Sequence, residues 1–188
     1  MKKNISTVLI FAALAFLPLN YVQAKNAGDG NMKKILIVYY SHSGNTAKIA
    51  KQIQKYTDGD LFEIKTKEQY PSKYNDLLNQ AKKEISDGYK PVLTSKVKNM
   101  EDYDIIFAGS PNWWGTIAPA ASSFLSEYDF SGKTIVPFCT HGGGGVSRCF
   151  DDMKKLLSGA NFLEGKGFYK SDSSENEISG WIKNLNLK

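Results

Sequence analysis

From Ile35 onward, short unbroken apolar runs alternate with longer stretches in which apolar residues recur every three or four positions. The runs cover 35–40, 61–64, 105–108, 134–138 and, more weakly, 167–169. Their length and the polar segments around them predict five strands. Between the strands lie five stripes with the spacing of a helix that buries one face. These are Ile49, Ala50, Ile53 and Tyr56; Tyr74, Leu77, Leu78, Ala81 and Ile85; and Ile117, Ala121, Phe124 and Leu125. Val146, Cys149, Phe150, Met153 and Leu157 form the fourth stripe, and Ile178, Trp181, Ile182 and Leu185 the fifth. Ser174 and Glu177 have the spacing of a capping box for the last helix. Continuous apolar strands alternating with helices predict an α/β fold, a parallel sheet covered on both faces. The first and third strands carry almost no charge and are expected to be central. Ligands of such sheets bind beyond the carboxyl ends of the strands, where the strand order reverses. The chemistry is therefore sought in the loops after strands one, three and four.

The segment before the first strand has a different pattern. Lys2 and Lys3 precede an apolar run over 8–19, and Val22, Gln23 and Ala24 follow it. Twelve apolar residues are too few for a spanning helix, which needs about twenty. The arrangement predicts a secretory signal peptide over 1–24, a mobile polar leader over 25–31 and one folded domain over 32–188. The protein is expected to be exported, to a periplasm or outside the cell, with no membrane anchor after cleavage. The formal charge of the 188-residue chain is +5, and loss of 1–24 leaves +3. So small an excess, evenly scattered, makes Lys82 and Lys83 a solvated face and not a nucleic-acid patch. Two cysteines cannot form a disulfide scaffold, although a Cys139–Cys149 bridge is open to a chain that reaches an oxidising compartment.

After strand one come Ser41, His42, Ser43, Gly44, Asn45 and Thr46, running directly into a helix. Hydroxyls, a glycine and a helix N-terminus suit an anion, above all a phosphate held by neutral donors. The same residues also cap helices without holding anything. Neither a G-x-x-x-x-G-K-[ST] loop nor a G-x-G-x-x-G fingerprint occurs, which excludes the common nucleotide-binding classes. Tyr40 and Ser110 stand where a phospho-receiver would need magnesium-binding carboxylates. After strand three come Ser110, Pro111, Asn112, Trp113, Trp114 and Gly115. Two adjacent indoles in one turn cannot both enter one core, so at least one is expected at the surface, against something flat. After strand four, Cys139, Thr140 and His141 lead into four glycines, Gly142 to Gly145. Ordering such a run loses much backbone entropy, which points to close approach of a ligand. No G-x-S-x-G accompanies the His-Gly-Gly-Gly stretch, so an esterase is excluded. No cluster of residues with metal-ligand spacing is evident.

A phosphate cradle, an aromatic wall and a glycine-rich edge, in that order, resemble the flavodoxin-like family of FMN proteins over essentially the whole mature chain. The resemblance implies a three-layer sandwich with strand order 2-1-3-4-5 and FMN as cofactor. In that likeness Ser41 to Thr46 hold the FMN phosphate, and Pro111, Asn112, Trp113, Trp114 and Gly115 supply the aromatic ring that stacks on the flavin. Thr140, His141, Gly142 and Gly143 meet its pyrimidine edge. The chain departs from the strongly acidic cytoplasmic carriers of the family in being basic and exported, with His141 at the flavin edge. A protonated His141 would favour anionic reduced flavin, whereas a neutral one would simply fix the loop. The function implied is electron transfer through FMN, as carrier or as oxidoreductase, between a reductant and a partner protein or small quinone-type acceptor. A non-enzymatic module binding a phosphate-bearing ligand on the same fold, and an NAD(P)H-dependent quinone reductase, are the alternatives. No separate nucleotide pocket is evident in the sequence.

Overall fold

The computed structural model describes residues 33–187; the expected signal peptide and leader lie outside them. Four strands form the body of a parallel sheet: β1 (Ile35–Tyr40), β2 (Asp60–Ile64), β3 (Ile105–Trp113) and β5 (Thr134–His141), in the order β2-β1-β3-β5. A two-residue strand, β4 (Thr116–Ile117), folds back antiparallel on the end of β3. The fifth sheet position is split between β6 (Asn161–Phe162) and β7 (Lys166–Tyr169), which pair in turn with the start and the end of β5. The parallel positions thus run 2-1-3-4-5, as expected.

The split has a local cause. Ile135 pairs with Phe162 and Phe138 with Lys166, so three residues, 163–165, stand opposite only Val136 and Pro137. Pro137 has no N–H to offer a ladder, and a bulge is the way a sheet accommodates both features. Gly165 fits there because a Cβ would lie 2.6 Å from Cγ of Pro137 and 2.8 Å from its carbonyl oxygen.

Helices α1 (Asn45–Thr57), α2 (Tyr74–Asp87), α3 (Pro119–Leu125), α4 (Cys149–Leu156) and α5 (Glu175–Asn184) realise the five stripes, except that Ile117 and Val146 precede α3 and α4. Side chains alternate across each strand, which gives the sheet two cores. Ile37, Tyr39, Phe107 and Phe138 bury against Ile49 and Ile53 of α1 and Ile178 and Trp181 of α5. On the opposite face, Leu36, Val38, Ile106 and Cys139 bury against Leu77 of α2, Phe124 of α3 and Met153 of α4. Trp181 is a core residue as expected, with its indole N–H donating to the Glu164 carbonyl at 3.2 Å.

Ile117 departs from the expected helical stripe. It is buried on β4, and the helix begins only at Pro119, whose fixed φ suits the first helical position. The capping box is half made. Ser174 Oγ accepts from the Glu177 N–H at 3.1 Å, while the Glu177 carboxylate turns to Lys166 at 3.0 Å. Cys139 and Cys149 are free thiols, both fully buried, joined by no disulfide but by a hydrogen bond from the Cys139 thiol to Cys149 Sγ at 3.3 Å. The hydrogen bond with Cys149, and then burial, push the Cys139 thiol far above its ordinary pKa.

Candidate functional site

The carboxyl ends of β1, β3 and β5 bring the three loops together around one cleft of about 1290 Å3. Gly44, at φ +85°, turns the chain from β1 into α1 and serves as its N-cap, so no side chain occupies that position. The first turn of α1 contains no acidic residue. Ser41 Oγ accepts from the Ala47 N–H at 3.2 Å, and Asn45 Nδ2 donates to Ser43 Oγ at 3.1 Å. The positive end of the helix therefore opens on the cleft beside Ser41, Ser43 and Asn45, a donor set that fits a phosphate.

The second loop is a tight hairpin. β3 continues through Trp113, and Trp114 and Gly115 take φ of +52° and +81°, as a two-residue type I′ turn requires. A left-handed indole residue is uncommon and strained. Trp114 is half exposed, its N–H donating to the Leu78 carbonyl at 3.1 Å and its ring covered by Lys82 at 5.2 Å. Lys82 is thus more than a solvated charge. Trp113 is half-buried and meets the rings of Tyr40, Tyr70 and His42 steeply, at interplanar angles of 88°, 82° and 74°. No ring among these lies flat on it. Burial, with the Glu84 carboxylate beside it, pushes Tyr40 well above its ordinary pKa. Tyr70 rises further through burial and its hydrogen bond to Glu84 Oε2 at 2.5 Å. Both phenols stay protonated, and Tyr70 donates to Glu84.

In the third loop, added Cβ atoms on Gly142 and Gly143 would meet nothing within 4 Å. Their bareness does not serve protein packing, which fits the close approach of a ligand. The Gly143 N–H donates to His141 Nδ1 at 3.3 Å. The contact ties the His141 ring to the backbone of its own loop.

Two links lock the loops to one another. Thr46 Oγ1 and Thr140 Oγ1, both buried, share a hydrogen bond of 2.8 Å between the first and third loops. Asn112 accepts from the Gly115 N–H at 2.9 Å and donates to the Gly145 carbonyl at 2.7 Å, joining the second loop to the third.

Ser41, His42, Ser43, Asn45, Pro111, Asn112, Trp113, Trp114, Thr140, His141 and Gly142 line the cleft; Gly44, Thr46, Ser110, Gly115 and Gly143 do not. Ser110 is fully buried and structural: its Oγ accepts from the Ala118 N–H at 2.9 Å and donates to the Pro111 carbonyl at 2.8 Å. Tyr40, Lys65, Lys67, Tyr70, Tyr74 and Leu78 also line the cleft and were not expected from the sequence. Tyr40 ends β1; the others follow β2 or lie on α2, and the signal that could have found them is that β2 flanks β1, so its carboxyl end opens on the same edge.

The sequence model of flavodoxin matches residues 34–185. A search of curated proteins finds no significant match. Among solved structures, a candidate flavoprotein from Bacteroides eggerthii shares 30% identity over 82% of this chain and 99% of its own, with a TM-score of 0.75. A second candidate flavoprotein, from Bacteroides uniformis, shares 30% identity over 80% and 98%, with a TM-score of 0.74. A flavoprotein from Lactobacillus acidophilus, solved in complex with FMN, shares 25% identity over 80% and 99%, with a TM-score of 0.64. The chain belongs to the flavodoxin family.

Proposed function

We propose that this protein is an FMN-dependent redox protein that passes electrons between a reductant and a partner protein or small quinone-type acceptor. The observation that carries the reading is the convergence of an open helix N-terminus, two cleft-lining tryptophans and a bare glycine loop on one cleft. The FMN complex of the Lactobacillus acidophilus relative supports the same cofactor. When bound, FMN supplies the electron chemistry, and the protein supplies binding and electrostatics.

In this reading Ser41, Ser43 and Asn45 and the first turn of α1 hold the phosphate. Trp113 and Trp114 offer aromatic surface to the ring system and exclude water from it. Thr140, Gly142 and the backbone beside them meet its polar edge, and His141 holds that loop in shape through Nδ1. Residues 1–24 direct export, and FMN is acquired by the folded domain outside the cytoplasm. Mature protein isolated from the exporting cell should then begin at Lys25.

The deciding experiment is an absorption and emission titration of the mature protein with FMN. The reading expects a yellow complex whose flavin fluorescence is quenched by the indoles. Unquenched emission with no measurable affinity would leave the competing reading, a binding module for another phosphate-bearing ligand.

A further inference from the structure

Pockets that bury a ligand of drug size enclose roughly 300 to 1,000 Å3, and this cleft encloses about 1290 Å3. The three loops bound only its β1–β3–β5 side. Its other side is walled by the segment after β2 and by α2, with Tyr70, Tyr74, Leu77 and Leu78 on the wall beside Trp114. That wall leaves aromatic surface in water: Tyr74 is 70% exposed and Trp114 50%. Such a patch beside a cleft marks a surface that something covers.

Charge narrows what that is. Lys65 and Lys67 stand on the same wall, and Lys82 lies over the Trp114 ring. Among the described residues, Glu63 is the one carboxylate lining the cleft, and it pairs with Lys65 at 3.3 Å. No carboxylate of the described residues lies within ion-pair distance of Lys67 or Lys82. Lys67 is also well placed. Its N–H donates to the Val92 carbonyl at 2.8 Å, and the neighbouring Thr66 bridges to Leu93.

From this conjunction of open aromatic wall and unpaired cations we infer that the β2–α2 half of the cleft is a second subsite, for a planar aromatic molecule bearing an anionic group. Sulfonated and carboxylated quinones belong to this class. The rings of Tyr74 and Trp114 cover the aromatic plane, and Lys67 and Lys82 receive the anion. The inference rests on the reading of the other half as the FMN site, since a molecule bound here shares one cleft with the flavin and becomes its acceptor.

The test is calorimetric and needs no turnover. Oxidised, FMN-loaded protein is titrated with 1,4-naphthoquinone-2-sulfonate and with its neutral analogue 2-methyl-1,4-naphthoquinone. The sulfonate should bind about tenfold more tightly at low salt, and the preference should shrink as ionic strength rises. K67E/K82E should abolish the preference while leaving FMN affinity unchanged, and Tyr74→Ala should weaken both quinones. Equal affinities, or a preference that survives K67E/K82E, would overturn the subsite and leave the FMN reading standing. Protein that takes up no FMN overturns the proposed function instead, and the sulfonate titration of that flavin-free protein still reports on the subsite.

Discussion

Asp152, in the first turn of α4, accepts from Thr116 Oγ1 at 2.6 Å and from Lys155 Nζ at 2.9 Å. Partial burial pushes its carboxyl up, but the bonds from Thr116 and Lys155 outweigh that and hold it below the ordinary carboxylate value. The unfolded chain therefore takes up this proton at a higher pH than the folded one. The stability contributed is complete above the unfolded value and disappears as pH falls through the folded one. Urea unfolding of wild type and Asp152→Asn at neutral pH and again near pH 3 should show the two curves converging in acid. A constant gap would remove the carboxylate from the account. The residues misplaced by sequence are instructive at this scale. Gly109, Ser110 and Pro111 read as a loop, yet the strand continues through them, so alternation turns the Ser110 side chain into the core and not to the cleft.

Elements carry the next two predictions. The first turn of α1 has no acid and its N-cap residue, Gly44, has no side chain, so a carboxylate placed beside it interacts favourably with the helix dipole and unfavourably with a phosphate. Ser43→Asp should raise the stability of flavin-free protein by about 0.3–1 kcal/mol while weakening FMN far more than riboflavin, read by thermal unfolding and by fluorescence titration. Equal losses for the two flavins would move the phosphate elsewhere. At the split fifth strand, Gly165→Ala should cost about 1–3 kcal/mol, because Pro137 and the Phe150 ring, 2.8 Å from the added carbon, leave no space. An unchanged melting temperature would mean that the bulge yields freely. The five stripes and four of the strands were legible because periodicity records which face is buried. Two features were not. The Trp114–Gly115 hairpin depends on positive φ at an indole residue, and β6 is a pair of residues whose pairing is decided by Pro137 on another strand.

The whole molecule places its two cores on opposite faces of one sheet and leaves the cleft at the carboxyl edge, as the alternation of strands and helices predicts. What lay beyond sequence was the width of that edge, because the contribution of the β2–α2 segment comes from folding and not from any motif. The three loops also act as a unit. Asn112→Ala deletes the bond from the hairpin to the Gly145 carbonyl and the bond to the Gly115 N–H within the hairpin, and should destabilise the fold by about 1–3 kcal/mol. Amide exchange should quicken over 142–145 and in the hairpin together; quickening in the hairpin alone would show the loops to be independent.

The hydroxyl pair of Thr46 and Thr140 and the amide of Asn112 tie this rim together through the protein's own groups. Little order then remains to be gained at the moment of capture, so the entropic toll of docking is small. Such a vessel can be finished first and filled afterwards, in whatever place the chain and its dye happen to meet.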